Sequence, residues 1–176
     1  MDNNYWKNAY QTTWDESSKR ENFMVDWIKD NAGLTAEIIG LGAGTSDFID
    51  GSASENGYEK GDADLHIINT NIYIEVTGPL TKSVSVNSAL WFRPDKFENA
   101  IRNMTNGHDT FFAHHCPSGD LWRIIHIDDK LAQRYQRHEF RIVTPWIRGR
   151  QERYVEIPSN DLCIKSLEYL KDYLIG

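Results

Sequence analysis

Cysteine is scarce. Cys116 and Cys163 are the two in 176 residues, too few for a disulfide framework or a cysteine-built zinc site. Long apolar runs are missing too. The first thirty residues hold no stretch of signal-peptide length, and no run approaches a membrane span. The expectation is an intracellular, cytoplasmic protein with reduced thiols and no membrane partner. Without repeats, low-complexity tracts or linkers, residues 1–176 read as one domain. Nor is there a surplus of positive charge. The formal net charge of -7 argues against loose nucleic-acid binding over the whole surface.

What is present suffices for a core: 40% of residues are hydrophobic and 12% aromatic, so the chain should fold. Its charge is unevenly spread. Residues 1–75 carry 14 acidic and 5 basic side chains. Between Lys130 and Arg153 stand seven basic ones (Lys130, Arg134, Arg137, Arg141, Arg148, Arg150, Arg153) against Glu139 and Glu152. Such a block is either a solvated basic face or a surface that contacts phosphates.

The segment TTWDESSKRENFMVDWIKDNAG predicts a helix, with a capping box at Thr13 and Glu16, an apolar stripe of Phe23, Met24, Trp27 and Ile28, and a stop at Gly33. TAEIIGLGAG reads as a strand, and 44–60 as loop. A hairpin follows near 63–69 and 72–77. RPDKFENAIRNMTNG predicts a second helix, with Pro94 in the first turn, one face of Phe97, Ala100, Ile101 and Met104, and an end at Gly107. TFFAHH and LWRIIHI read as strands joined by CPSGD. EFRIVTPWI and ERYVEI read as two more, with Pro145 marking an edge or bulge. A last helix is expected from about Ser159, with Cys163, Leu167, Leu170 and Leu174 on one side. This order implies an α/β sandwich around a mixed central sheet.

The hairpin GDADLHIINTNIYIEVTGP carries Asp62, Asp64 and Glu75 on otherwise apolar, β-branched strands. Desolvating carboxylates is costly, so a compensating partner is expected: a cation, a salt bridge, or solvent. Alternate strand residues share a face, which groups Asp62, Asp64 and His66 on one strand, and Tyr73, Glu75 and Thr77 on the other. A two-residue turn at Thr70-Asn71, or a four-residue loop from Asn69, pairs Asp64 with Thr77 and His66 with Glu75, all on one face. A three-residue loop separates the carboxylates unless a bulge corrects it. His66 opposite Glu75 would suit a proton carrier. Two converging carboxylates with a backbone carbonyl make an oxygen donor set of the kind Mg²⁺ and Mn²⁺ prefer.

DADLHI and IYIEVTG resemble the pattern of the PD-(D/E)XK nuclease superfamily, whose restriction-endonuclease-like fold has an αβββαβ core with a mixed central sheet flanked by helices. An Asp enters one strand and, after ten intervening residues, a Glu lies on the next, all of this after a helix that carries a Glu. The order of elements from residue 13 to about 127 fits too, which covers roughly two-thirds of the chain. The resemblance implies metal-dependent hydrolysis of phosphodiester bonds in DNA with Mg²⁺ or Mn²⁺. Asp64, Glu75 and the Val76 carbonyl match its metal ligands. Glu21 matches its helical Glu, to bind a second ion or to orient the lysine-like partner. The position of the family's catalytic lysine is Thr77, which supplies no cation. Lys96, in the first turn of the following helix, is the replacement expected, and Lys82 the second choice. Arg134, Arg137, Arg148 and Arg150 would contact backbone phosphates. Many nucleases of this fold pair to cut both strands, so a homodimer is implied.

Two other readings have residues behind them. Gly51-Ser52, then nine residues, then Asp62-x-Asp64 resembles the polymerase-beta type of nucleotidyltransferase, with Glu75 as third carboxylate. That fold inserts a helix before the third carboxylate, and INTN leaves no room for one. Thr77 and the net negative charge suit instead a nuclease fold kept as a binding or inhibitor module, for example of viral origin. Adjacent strand histidines such as His114 and His115 point to opposite faces and do not share a metal. Most tryptophans (Trp14, Trp27, Trp122, Trp146) read as packing residues. Trp91 and Phe92, just before the Lys96 helix, are the best candidates for base stacking.

Overall fold

In the computed structural model the described residues are 3–39, 63–147 and 149–176, with side chains described from position 15 onward. Gly51, Ser52, Asp62 and Arg148, and the loop expected at 44–60, lie outside them.

The chain runs α1 (Asn3–Ala32), β1 (Ala36–Ile38), β2 (Leu65–Ile67), β3 (Ile72–Thr77), β4 (Leu90–Phe92), α2 (Pro94–Thr105), β5 (Asp109–Cys116), β6 (Leu121–His126), α3 (Asp129–Gln136), β7 (Arg141–Val143), β8 (Trp146–Ile147), β9 (Arg150–Gln151), β10 (Tyr154–Ile157), β11 (Ile164–Lys165) and α4 (Leu167–Ile175). The expected αβββαβ order is present, with β4 interposed before α2. A six-stranded sheet has the order β1-β2-β3-β5-β6-β11. β3 and β5 are parallel and the other pairs antiparallel, so the sheet is mixed.

Alternation along the strands builds a core on each face. Leu65, Ile67, Ile74, Phe111, Ala113 and Ile124 pack with Met24 and Ile28 of α1 and Leu170 of α4. On the opposite face Phe112 and Ile125 pack with Phe97 and Ala100 of α2, Leu131 of α3, and Leu90, Phe92, Val155 and Ile157 of a small sheet ordered β4-β10-β7. The central mixed sheet is thus flanked by helices on both sides.

Several expectations need correcting. The first helix passes through Thr13 and begins at Asn3, because residues 3–12 hold no proline or glycine to stop it. Its end is as expected: Gly33, with φ 68°, donates to the Lys29 carbonyl at 3.0 Å. The basic block contains a helix, α3, capped where the Asp128 carboxylate accepts from the Leu131 amide at 2.9 Å. The last helix begins at Leu167, not near Ser159. Cys163 precedes it, and 164–165 pair with β6 as β11 instead.

The hairpin register also differs from the one expected. Leu65 faces Ile74 and His66 faces Tyr73. The loop runs from Ile68 to Asn71, two residues away from the pairing expected, because Thr70 closes it early. The Thr70 hydroxyl donates to the Ile67 carbonyl at 2.7 Å and accepts from the Ile72 amide at 3.0 Å. Asn69 takes a φ of 66°.

Candidate active site

A shift of two residues preserves the faces of a strand. Extending the register by one pair sets Asp64 directly against Glu75, and the Asp64 amide donates to the Ile74 carbonyl at 3.1 Å. The Asp64 carboxylate accepts from the Val76 amide at 2.8 Å and so prolongs the ladder past the start of β2. Its side chain also lies within hydrogen-bonding reach of Glu75 and of Glu21 on α1. Glu75 and Glu21 are both buried. On the sheet face toward α2, Pro94 starts that helix and puts Lys96 in its first turn. The Lys96 ammonium lies 3.0 Å from Glu75 Oε2. Asp64, Glu75, Glu21 and Lys96 therefore meet, with the Val76 backbone among them. Asn99, Asn103 and Thr110 line the recess behind Glu75.

The electrostatics follow from burial. Loss of solvent raises the Asp64 carboxyl, against the opposing pull of Lys96 and the Val76 amide. Burial and then the Asp64 charge push Glu75 well above the usual carboxylate range, and Lys96 recovers part of that. Burial works against the Lys96 ammonium too, but Glu75 and Asp64 outweigh it and its net shift is upward. Lys96, with Arg93 beyond it, offsets only part of what burial costs Asp64 and Glu75, which favours a shared proton or a further cation there.

The donor chemistry fits a hard divalent cation. Carboxylate and carbonyl oxygens are the ligands such ions take. Glu75 Oε2 is buried and, although charge-paired with Lys96, receives no aligned hydrogen bond. Among the described residues no three His, Cys, Asp or Glu side chains stand ready as a coordination shell. The acids here are turned toward one another and toward Lys96, the arrangement that carboxyl groups sharing protons adopt.

Other sequence candidates fall elsewhere. His66 does not face Glu75. Its Nδ1 lies 3.1 Å from Glu37 Oε1, its Nε2 lies 2.9 Å from the Thr70 carbonyl, and its ring stacks on Tyr73. Thr77 lies two residues past Glu75 on the same strand face, opposite His114 of β5. Lys82 is exposed in the loop after β3. Arg134 forks onto Asp161 at 3.0 and 2.7 Å and covers the Phe140 ring, which makes it a brace for the segment before β11. Arg137 is exposed at the end of α3. Arg150 is 79% exposed and bonds Glu152. Phe92 is core, and Trp91 is open to solvent. His114 and His115 do diverge. His114 is buried, while His115 joins Arg20 and Asp120.

Sequence reasoning missed Arg20. Its guanidinium is buried and donates to the carbonyls of Gly78, at 2.7 Å, and Pro79, and to His115 Nδ1 at 3.3 Å. It clamps the end of β3 to α1 one residue before Glu21. No local pattern marks such a residue, since its partners lie about sixty and ninety-five positions away.

No protein-family model matches the chain, and no curated protein matches it. Among solved structures the chain is similar to D212, a nuclease from a fusselovirus. The two are 17% identical, with 90% of this chain and 91% of that one covered and a TM-score of 0.49. Among the described residues no helix is long and apolar enough to cross a membrane.

Proposed function

We propose that this chain is a PD-(D/E)XK-type nuclease with the restriction-endonuclease-like fold, hydrolysing phosphodiester bonds in DNA with Mg²⁺ or Mn²⁺. The observation that carries the reading is the facing of Asp64 and Glu75 across two paired strands, with a helix ammonium 3.0 Å from the buried Glu75 carboxylate. Asp64, Glu75 and the Val76 carbonyl would hold the ion, with Glu21 binding a second ion or orienting the lysine-like partner. When bound, such an ion supplies a water of lowered pKa and offsets charge building on the phosphate.

Lys96 takes the part of the strand lysine that Thr77 replaces. Its ammonium holds its proton firmly, so it acts as a donor and fixed positive charge toward a phosphate oxygen or the attacking water, not as a base. Thr77 offers a hydroxyl beside it. Arg137 is exposed and open for phosphate contacts, Arg150 is exposed with its Nε on Glu152, and Arg134 would first have to leave Asp161. A homodimer and a cytoplasmic location complete the proposal. Incubating supercoiled plasmid with Mg²⁺ or Mn²⁺ tests it. Wild type should nick and an Asp64→Ala/Glu75→Ala double variant should not; equal nicking by both overturns the assignment.

Thr77 at the lysine position favours a second reading, a nuclease fold that binds or inhibits without cutting. Calorimetry with Mn²⁺ on wild type and Glu75→Ala separates the two, because absence of binding in both puts the inhibitor reading ahead. The nucleotidyltransferase reading loses ground, since the β2–β3 loop has no helix before Glu75.

A further inference from the structure

A second recess lies at the β11 edge of the large sheet, bounded by α3 and α4. Its volume of about 440 Å³ falls in the range of small-ligand sites. Lys130 and Arg134 of α3 and Lys165 of β11 line it, together with Asp128, His126 and Leu162. β5 and β6 stand between β3 and β11, so at about 4.8 Å per strand the recess is roughly 14 Å from the acid pair. One phosphate group cannot touch both.

The charged groups of this recess differ in what occupies them. The Asp128 carboxylate caps α3 on the Leu131 amide. Arg134 is forked onto Asp161. His126 Nε2 lies 3.5 Å from one oxygen of Asp109, whose other oxygen accepts from the Tyr173 hydroxyl. Lys130 and Lys165 have no ion-pair partner among the described residues. Lys165 has only the Tyr169 ring, 5.7 Å from its Nζ. In a chain of net charge -7, two ammonium groups thus share one cavity without a counter-anion, and an anion between them would offset their repulsion. The recess also has an apolar side. Leu162 is 87% exposed, yet its turn is held. The Asp161 carboxylate accepts from the Cys163 amide at 2.9 Å as well as from Arg134, and the Asp161 carbonyl accepts from the Ile164 amide at 3.1 Å. Leu131 and Cys163 line the cavity behind it. Cations alone would suit any small anion. Cations beside an apolar wall suit an anion with an apolar body. A phosphomonoester approaches two negative charges at pH 7, which matches the two free ammonium groups, and a nucleobase supplies the apolar body.

We propose that this recess binds a nucleoside monophosphate, with the phosphate held between Lys130 and Lys165 and the base against Leu162. The site is separate from the acid cluster and needs no metal. The test is isothermal titration calorimetry in EDTA with dAMP, deoxyadenosine, inorganic phosphate and the 5′-phosphorylated dinucleotide of deoxyadenosine. dAMP should bind more tightly than inorganic phosphate, and deoxyadenosine should not bind. Lys130→Met and Lys165→Met should each weaken dAMP by about tenfold or more, the loss expected for one hydrogen bond to a charged group. Leu162→Ser should weaken dAMP and leave inorganic phosphate unchanged. Lys130 is exposed near the start of α3, so Lys130→Met reads out binding even if Lys165→Met disturbs β11. Both sources of the phosphate support the site: a dinucleotide that binds as tightly as dAMP and loses as much with Lys130→Met identifies a strand end, and binding of dAMP alone identifies a free nucleotide. No binding of dAMP, deoxyadenosine or inorganic phosphate binding as tightly as dAMP, or dAMP binding unchanged by Lys130→Met overturns the proposal. Failure here leaves the nuclease reading intact, because plasmid nicking with metal judges that reading separately.

Discussion

Glu75→Gln separates a metal site from a structural ion pair. Burial and the adjacent Asp64 charge both oppose an ionised Glu75. A carboxyl whose folded pKa is raised contributes stability only below its unfolded value, about 4.3, and loses it as pH rises toward the folded pKa. At pH 7 the charge is thus a cost. Glutamine keeps the shape, accepts a hydrogen bond from Lys96 and has no charge to desolvate, while Asp64 stays near the ammonium. The metal-free variant should therefore melt at or above wild type. The ion should act oppositely. A ligand that binds only the folded state adds about 2.7 kcal/mol at a hundred times its Kd. At about 2–4 °C per kcal/mol for a domain of this size, wild type should gain roughly 5–11 °C. The assay is thermal melting by circular dichroism on chelator-treated protein, with and without Mn²⁺. Wild type should rise and Glu75→Gln should stay put. The reasoning is refuted if the variant melts well below wild type without metal, or if Mn²⁺ moves both alike.

Three further outcomes follow from the geometry. Lys96→Met should lower plasmid nicking by about a hundredfold or more while the Mn²⁺ melting shift survives, and near-normal nicking would remove Lys96 from the chemistry. Gly78 has a φ of 142°, and a Cβ there would stand 2.1 Å from the His115 carbonyl oxygen, so Gly78→Ala should lose about 3 kcal/mol or more in urea unfolding; a loss under about 1 kcal/mol would contradict the close approach. Burial, with the Arg123 and Arg20 charges behind it, lowers the His114 imidazole to about 3. The unfolded chain then takes a proton near pH 6.5 that the folded one refuses, and stability falls as pH drops from there toward 3. By pH 5 that single group costs about 2 kcal/mol. His114→Leu should flatten the loss between pH 7 and pH 5, and equal losses would exclude it as the cause.

The buried faces were readable because side-chain period is a local property. Phe97, Ala100 and Ile101 form the inner stripe of α2, as their spacing predicts. Pro94 opens that helix, and its last turn ends before Gly107. The parity of β2 and β3 placed Asp64 and Glu75 on one face whichever even register was chosen, so the acid pair was legible although its partner assignments were not. Misreadings arose where local pattern was silent. Lys130 to Gln136 carried charge without an obvious stripe, and the helix there depends on the Asp128 cap and on Leu131 reaching the core. Arg134 looked like a phosphate contact in a basic run, and Asp161, distant in sequence, engages it.

By itself the sequence determined most element types, though not α3 or β11, together with the face on which the acids stand and the lack of a lysine two residues past Glu75, because each depends on residues within a few positions of one another. Tertiary structure decided the rest. Thr70 closed the hairpin and set Asp64 against Glu75. Packing of α1 and α2 on opposite faces of the sheet brought Glu21 to Asp64 and Lys96 to both Asp64 and Glu75. Residues far apart along the chain become neighbours through the packing of whole elements, and no local period encodes that.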